Sequence, residues 1–413
     1  MDRVALVGVD WGKSENAFVV RGKDGAVWRD RFPQTPQGVH LWAAALRSRY
    51  PEGKVAVALE QSRGALIYAL STYDFIELLT VHPSQTAAYR GVARPSGAKS
   101  DPIDADLIYD FVEKHSEKVR ALQAVDALTR ELTLLVEWRR KLVEQRTSLG
   151  QQLSETLGQY YPQALELMGE RNSPMSLDFI LQWSTLEKLQ RSRPATIRNF
   201  YTSHNCRSKK VIEQRLALIA SAVALHTDAA RISALSAIAC SLASLVQSVS
   251  EQISELDRRI KELWSSHPDY AVLDSFPGVG EVFGPRLAAA LGTDRDRWDA
   301  TTLSNFSGIA PLTEASGSTR WVHVRWACPK FIRQTFHEFA GSSIAQCGWA
   351  AAFYQRQRAA GKGHHSAVRA LAFRWIRILV RCWKDRVPYD DARYTARLIA
   401  AHSPNAPKPQ VAA

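Results

Sequence analysis

Over the first hundred positions, short apolar runs alternate with turn formers. Further along, apolar residues recur every three or four positions. Val4–Val9 is an apolar run of the kind buried in a sheet. Ala17–Val20 and Ala26–Arg29 follow, separated by Arg21-Gly22-Lys23-Asp24-Gly25, whose Asp-Gly pair is a hairpin signal. The pattern then predicts a helix over 35–50, a buried strand at Val55–Leu59, a helix over 63–72, a strand at Ile76–Val81 and a helix from Pro102. Three antiparallel strands followed by alternating helices and strands is the order of a ribonuclease-H-like α/β domain.

Beyond it the period changes to that of a helix. Residues 121–157 hold no proline and one glycine, and leucines at 128, 132, 135, 142, 149 and 153 form one stripe. Ile232, Leu235, Ala239, Leu242, Val246, Val249, Ile253, Leu256, Ile260 and Leu263 alternate spacings of three and four, a heptad seam. The two helices, separated by a lobe over 158–210 broken at Pro162, Pro174 and Pro194, predict an antiparallel coiled-coil arm or dimerisation element. A packed helical bundle is the plainer alternative. The expected division is 1–115 α/β domain, 116–265 helical arm with inserted lobe, 266–395 helical C-terminal domain, and 396–413 disordered tail.

Charge sharpens this picture. The chain of 413 residues carries a net charge of +12. Residues 1–115 hold 14 basic and 14 acidic side chains, 116–315 hold 23 of each, and 316–413 hold 16 basic against 4 acidic. A positive field focused on one end fits a nucleic-acid partner better than general solubility. The five cysteines form no Cys-x-x-Cys pair and are odd in number, which argues against a disulfide framework or zinc ribbon and for a reducing cytoplasm. The first residues lack the basic and apolar regions of a signal peptide. The uncharged stretch 232–250 is diluted by Ser and Ala, so no membrane partner is expected.

Candidate chemistry lies first in acids at strand ends. Asp10 follows one apolar strand and Glu60 ends another; Asp101 and Asp104 lie in Lys99-Ser100-Asp101-Pro102-Ile103-Asp104. With Pro102 at the first helical position, Asp101 is expected as the N-cap and Asp104 one turn on. The first and fourth strands should be neighbours, with the last helix across their ends, so that four carboxylates converge. Such a set needs cations to stay ionised, and a pair of Mg²⁺ ions suits all-oxygen ligands and phosphodiester chemistry. A sugar-kinase or actin-like ATPase also opens on strand-Asp-x-Gly, but its second half needs another phosphate-binding strand pair where this chain has a heptad helix.

In the C-terminal part, Leu273–Gly280 followed by Leu287–Gly292 predicts a helix-hairpin-helix, with amides around Gly278 and Gly280 able to cradle a phosphate. Ser316-Gly317 stands in an expected loop. A basic and aromatic stretch follows, with Arg320, Trp321, Arg325, Trp326, Lys330 and Arg333. A second basic helix includes Lys362 just before it, His364, His365 and Arg369. Its Val368, Leu371, Ala372, Ile378 and Leu379 should face a core, leaving arginines for phosphates.

Asp10, Glu60, the Lys99-x-Asp101-x-x-Asp104-Ala105 signature, Pro277-Gly278-Val279-Gly280, and Ala310-Pro311 ahead of Ser316-Gly317 together resemble one family. So do Tyr354 with Lys362-Gly363-His364, and Pro388-Tyr389-Asp390. It is the family of DEDD transposases, insertion-sequence family one-hundred-and-ten, which includes the Piv-type DNA invertases. The resemblance implies a RuvC-like domain, a coiled-coil arm and a C-terminal transposase domain with a catalytic serine. It further implies Mg²⁺ at Asp10, Glu60, Asp101 and Asp104, and Ser316 as nucleophile, with Ser318 two residues away as the other serine to weigh. Donor and target DNA, a structured non-coding (bridge) RNA, and homodimers pairing into tetramers with shared active sites are implied partners, in a bacterial cytoplasm near the nucleoid. Nucleic-acid contacts are expected at Lys99, Gly278, Gly280, Arg320, Arg325, Lys330, Arg333, Lys362 and Arg369. A RuvC-like junction endonuclease without a covalent step and a non-catalytic nucleic-acid scaffold are the alternatives.

Overall fold

The period-two alternation of the N-terminal strands sorts their side chains onto two faces of one sheet. The structure, a computed structural model, describes residues 3–22, 25–61, 63–93, 100–123 and 125–402. Two compact units divide after position 124.

In the first unit six strands lie in the order β3-β2-β1-β4-β5-β6: β1 Arg3–Trp11, β2 Glu15–Gly22, β3 Val27–Pro33, β4 Lys54–Leu59, β5 Ile76–Thr80 and β6 Arg120–Ala121. β1 runs antiparallel to β2 and parallel to β4, with Val9 opposite both Phe18 and Leu59. The order is that expected for a ribonuclease-H-like sheet. Val7, Val9, Val55, Val57 and Leu59 pack with α1 (Pro36–Arg49) and α2 (Ala65–Leu70) on one face. Ala56 and Ala58 pack on the other face with Ile108, Phe111 and Val112 of the long helix Asp101–Lys114. Before that helix, α4, comes one that periodicity missed, α3, Pro83–Ala93. The unit extends past the expected boundary at 115 because β6 pairs with β5, Leu79 opposite Ala121.

The second unit opens with α5 (Ala127–Tyr160), capped by Asp126, whose carboxylate accepts from the Thr129 amide. Short helices form the lobe: α6 Gln163–Leu167, α7 Pro174–Gln182, α8 Leu186–Gln190, α9 Pro194–Ser203 and α10 Lys209–Ser221. Then α11 (Ala229–Ser265) returns antiparallel along α5. Arg139 forks onto Asp257, and Arg259 pairs with Glu131. Every position of the heptad seam is buried or half-buried. Its first half packs on the lobe with Phe179 and Tyr201, its middle on Leu142, and its end joins the C-terminal core. By length and composition α11 could cross a membrane, but its seam is spent on these contacts.

The remaining elements are α12 Tyr270–Leu273, α13 Gly280–Leu291, α14 Ala300–Phe306, β7 Leu312–Ser316, β8 Thr319–His323, α15 Lys330–Ser343, α16 Gly348–Ala359, α17 His364–Asp385 and α18 Asp391–Ala400. Trp349, Trp375 and Trp383 are fully buried here, with each indole N–H satisfied: by the Tyr389 hydroxyl, Ser343 Oγ and Asp269 Oδ2 respectively. Val368, Leu371, Ala372 and Leu379 face this core as expected. The expected tail from 396 needs correction. Asp390 caps α18 through the Arg393 amide, and the helix carries Leu398 into the core before ending at Ala400. Residues 403–413 lie outside the described residues.

Candidate active site and nucleic-acid surface

Strand alternation places Asp10 on the sheet face of Leu6 and Gly8, the face that α4 covers, and Glu60 continues the Ala56–Ala58 row beside it. Gly8 lets α4 come close. A Cβ there would stand 2.3 Å from the Ala105 carbonyl oxygen and 2.7 Å from the Tyr109 amide nitrogen. The residue preceding Ala105 is Asp104, so this contact brings the first turn of α4 to the end of β1. Asp101 and Asp104 both lie in that first turn, where the helix dipole favours negative charge.

The side chains differ in their surroundings. Asp10 and Glu60 are half-buried, Asp104 is buried and Asp101 is exposed. Ser100, not Asp101, is the N-cap; Asp101 is the first helical residue, because its backbone already joins the helical turn that Pro102 continues. Glu60 accepts a hydrogen bond from the Thr86 hydroxyl, and Asp104 is paired with Arg90 at 2.6 Å. Among the described residues no three His, Cys, Asp or Glu side chains are assembled as metal ligands. The expected four-carboxylate convergence is therefore not a formed ligand cluster: two of its members are turned to partners on α3. The donor chemistry still fits a hard divalent cation, being all oxygen and drawn from adjacent strand ends and a helix start. Lys99 lies outside the described residues. Thr86 and Arg90 were not legible from periodicity, although His82-Pro83 marks a helix start that could have located them.

In the second unit Ser316 ends β7 and Thr319 opens β8; the two are paired across a tight turn in which Gly317 takes φ +57°. The expected loop is thus a hairpin, and Ser316 and Ser318 are both exposed at its tip. Trp321 and Trp326 are exposed as well, at 69% and 75%, whereas Trp375 and Trp383 serve the core.

The Pro277–Gly280 turn is present, with positive φ at both glycines. Before it stands only the four-residue α12, so two full helices do not flank it. Gly278 fits against α15, where a Cβ would stand 2.9 Å from backbone atoms of Ser342 and Ser343. Its amide donates to Gln346 Oε1 at 3.0 Å. That amide is committed internally, which leaves Gly280 as the exposed one of the pair.

The basic residues fall into two kinds. Arg286, Arg295 and Arg381 are in ion pairs. Arg320, Arg325, Lys330, Arg333, Lys362 and Arg369 are in none among the described residues. Arg333 lies 5.7 Å from the Trp326 ring. Burial, and then the nearby Arg333, press the Arg369 guanidinium downward. His337, His364 and His365 adjoin the same face, with His337 and His365 ring centres 5.6 Å apart. Burial holds His337 below the usual histidine range, against a hydrogen bond with the His365 backbone, and the Arg369 charge acts with burial. This collection of uncompensated positive groups is suited to a polyanion.

Comparison with known proteins agrees with these observations. Residues 7–162 match the DEDD transposase family of the IS110 group, and residues 270–355 match the transposase family of IS116, IS110 and IS902. The mini-circle protein for IS117 of Streptomyces coelicolor is 28% identical over 84% of this chain and 85% of its own length. A 42 kDa protein of insertion element IS900 from Mycobacterium paratuberculosis is 25% identical over 96% of this chain and all of its own length. A 44.8 kDa protein of IS116 from Streptomyces clavuligerus is 23% identical over 93% and 96%. With both matched regions falling on the parts that carry the strand-end acids and the Pro-Gly-Val-Gly turn, the chain belongs to the IS110 family of insertion-sequence transposases.

Proposed function

We propose that this transposase cuts and rejoins DNA strands with Asp10, Glu60, Asp101 and Asp104 as ligands for divalent cations, with Mg²⁺ the natural choice, and Ser316 as nucleophile. The observation that carries the reading is the Gly8–Ala105 contact, which sets the first turn of α4 beside the ends of β1 and β4. A pair of such cations would stabilise charge developing on the phosphodiester oxygens. Ser316 Oγ forms a bond to phosphorus as the bond to one deoxyribose oxygen breaks, and that oxygen leaves as a hydroxyl carrying the serine proton. Rejoining is the reverse, with a new strand's hydroxyl attacking the phosphoserine and the proton returning to Oγ. A covalent ester conserves the bond energy that ligation needs. The exposed hairpin tip supports this role for Ser316, since a nucleophile must reach a bulky duplex.

The unpaired cations Arg320, Arg325, Lys330, Arg333, Lys362 and Arg369, the Gly280 amide and the exposed Trp321 and Trp326 would bind DNA and a structured guide RNA. The functional unit would be a dimer that pairs into a tetramer, with the long antiparallel helices as a coiled-coil arm. The test is recombination of donor and target DNA with Mg²⁺ and RNA from the flanking element. Ser316→Ala and Asp101→Ala should both be inactive, and only chains retaining Ser316 should yield a protein–DNA adduct. An adduct that persists in Ser316→Ala but is lost in Ser318→Ala would move the nucleophile. Cutting without any adduct would instead mark a metal-dependent junction endonuclease.

A further inference from the structure

Helix α3 touches the carboxylate site twice, with two side chains one turn apart. Thr86, which is buried, bonds Glu60, and Arg90 pairs with Asp104. Residues four apart on a helix share a face, so a single face of α3 holds one acid from the β4 end and one from the start of α4. The Arg90 contact is incomplete for a guanidinium. It reaches one carboxylate oxygen through Nη2, while its Nε is buried without a hydrogen-bond partner among the described residues. A buried carboxylate such as Asp104 requires a counter-charge, and here the chain supplies its own.

Building on the cation-binding reading above, we propose that Arg90 is a built-in counter-ion of Asp104: it holds the carboxylate in place until a divalent cation arrives and then gives it up. A guanidinium and a divalent cation held by the same carboxylate are like charges a few ångströms apart, and they repel at that distance. The two therefore compete, and the competition is reciprocal: whatever weakens Arg90 at Asp104 strengthens the metal. Arg90 is a positioning residue in this scheme. In the metal-free chain it keeps Asp104 oriented, and Thr86 keeps Glu60 on the same side. The exchange also links metal loading to α3, which loses its charged anchor when Asp104 turns to the cation.

The experiment uses the full chain with Mn²⁺ as probe, free Mn²⁺ being followed by its electron paramagnetic resonance signal and folding by thermal melting with and without the ion. Arg90→Met removes the charge and keeps the apolar stem; Arg90→Lys keeps a cation. Arg90→Met should bind Mn²⁺ about tenfold more tightly than wild type, within the ordinary range for coupled sites. It should melt at a lower temperature without metal and recover when metal is added. Arg90→Lys should stay within about twofold of wild type in affinity, because a cation still competes. Unchanged or weaker binding by Arg90→Met, with binding lost in Asp104→Asn, would overturn the counter-ion role and leave the metal site standing. Binding equal to wild type in both Asp10→Asn and Asp104→Asn would overturn the metal site itself, and this inference with it. If Arg90→Met does not fold, wild type alone decides the matter: backbone hydrogen exchange across 83–93 should speed up at least about twofold on loading with Mg²⁺, and unchanged or slower exchange would overturn the proposal.

Discussion

The carbonyl oxygen of Ala105 lies where a side chain on Gly8 would begin, 2.3 Å from that absent Cβ. No rotamer relieves such an overlap, because both partners are backbone or Cβ and Gly8 is in a central strand. Gly8→Ala must push α4 off β1, taking Asp101 and Asp104 away from Asp10. The expected cost is about 2 kcal/mol of stability, from overpacking alone. A thermal melt should show a folded but weaker protein whose recombination falls far more than its stability. Full activity in Gly8→Ala would mean that this contact does not set the acids' geometry.

Arg286 and Glu338 make a second case in which one contact fixes several elements. The guanidinium, only 6% exposed, donates to Glu338 at 2.6 Å and to Thr335 Oγ1 at 3.2 Å, joining α13 to α15, while Arg140 of α5 reaches the same carboxylate at 3.6 Å. Burial works against the Glu338 charge, but the Arg286 bond and charge prevail and hold its carboxyl below the ordinary value of 4.5. Arg286→Met should destabilise by about 2 kcal/mol, less than a fully buried pair because Arg140 remains. A depressed carboxyl stabilises above its unfolded value, and that stabilisation is lost as pH falls through the folded one. The difference in melting temperature between Glu338→Gln and wild type should therefore be steady near neutrality and shrink below pH 4.5.

His267 carries a pH response of its own. The Asp269 amide donates to its Nδ1 at 3.0 Å, so the network assigns the ring proton to Nε2, which donates to Thr129 Oγ1 at 3.0 Å. The Thr129 hydroxyl in turn donates to Asp126 at 2.6 Å, tying the cap of α5 to the residues just after α11. Burial holds this imidazole below 6.5, against the pull of Asp269 and Asp126. A second proton would set Nδ1–H against the Asp269 N–H. The neutral ring thus stabilises above the unfolded value, and stability drains away as pH falls below it. Melting temperature should drop between pH 7 and 5, and His267→Gln should flatten that drop while costing about 1 kcal/mol at neutral pH.

Local chemistry explains which parts of this architecture could be read directly. The unbroken apolar runs Val4–Val9 and Val55–Leu59 indicated buried strands, the order of the elements made them neighbours, and strand parity then puts Asp10 and Glu60 on one face. The heptad seam at 232–263 foretold a long packed helix, although periodicity alone could not say that its partners would be α5 and the lobe of the same chain. What stayed hidden depended on tertiary placement. Helix α3 has a single buried residue, Thr86, so it leaves no apolar stripe to detect. Its Arg90 acquires meaning only opposite Asp104. The hairpin bearing Ser316 is fully exposed on β8 and nearly so on β7, and a strand with no buried face has no alternation to show.

The exposed hairpin and the segment just after it yield the sharpest prediction about nucleic-acid binding, because Trp321 on β8, Trp326 beyond it and the neighbouring arginines should act through separable physics. Trp321 and Trp326 are far from any core, so replacing either with alanine should change stability by less than about 0.5 kcal/mol. If their rings stack on unpaired bases, each loss should cost about 1–3 kcal/mol of binding to single strands, roughly 5- to 150-fold in affinity. Stacking releases no counterions, so the salt dependence of binding should keep its slope in both variants. Arg333→Ala and Arg369→Ala should behave oppositely, each lowering the slope of log affinity against log salt by about one when the lost contact is to a phosphate. Anisotropy titrations of a single-stranded and a duplex oligonucleotide at several salt concentrations separate the two. Tryptophan variants that lose duplex and single-strand binding equally, with a reduced slope, would assign these rings to supporting the arginines and not to reading bases.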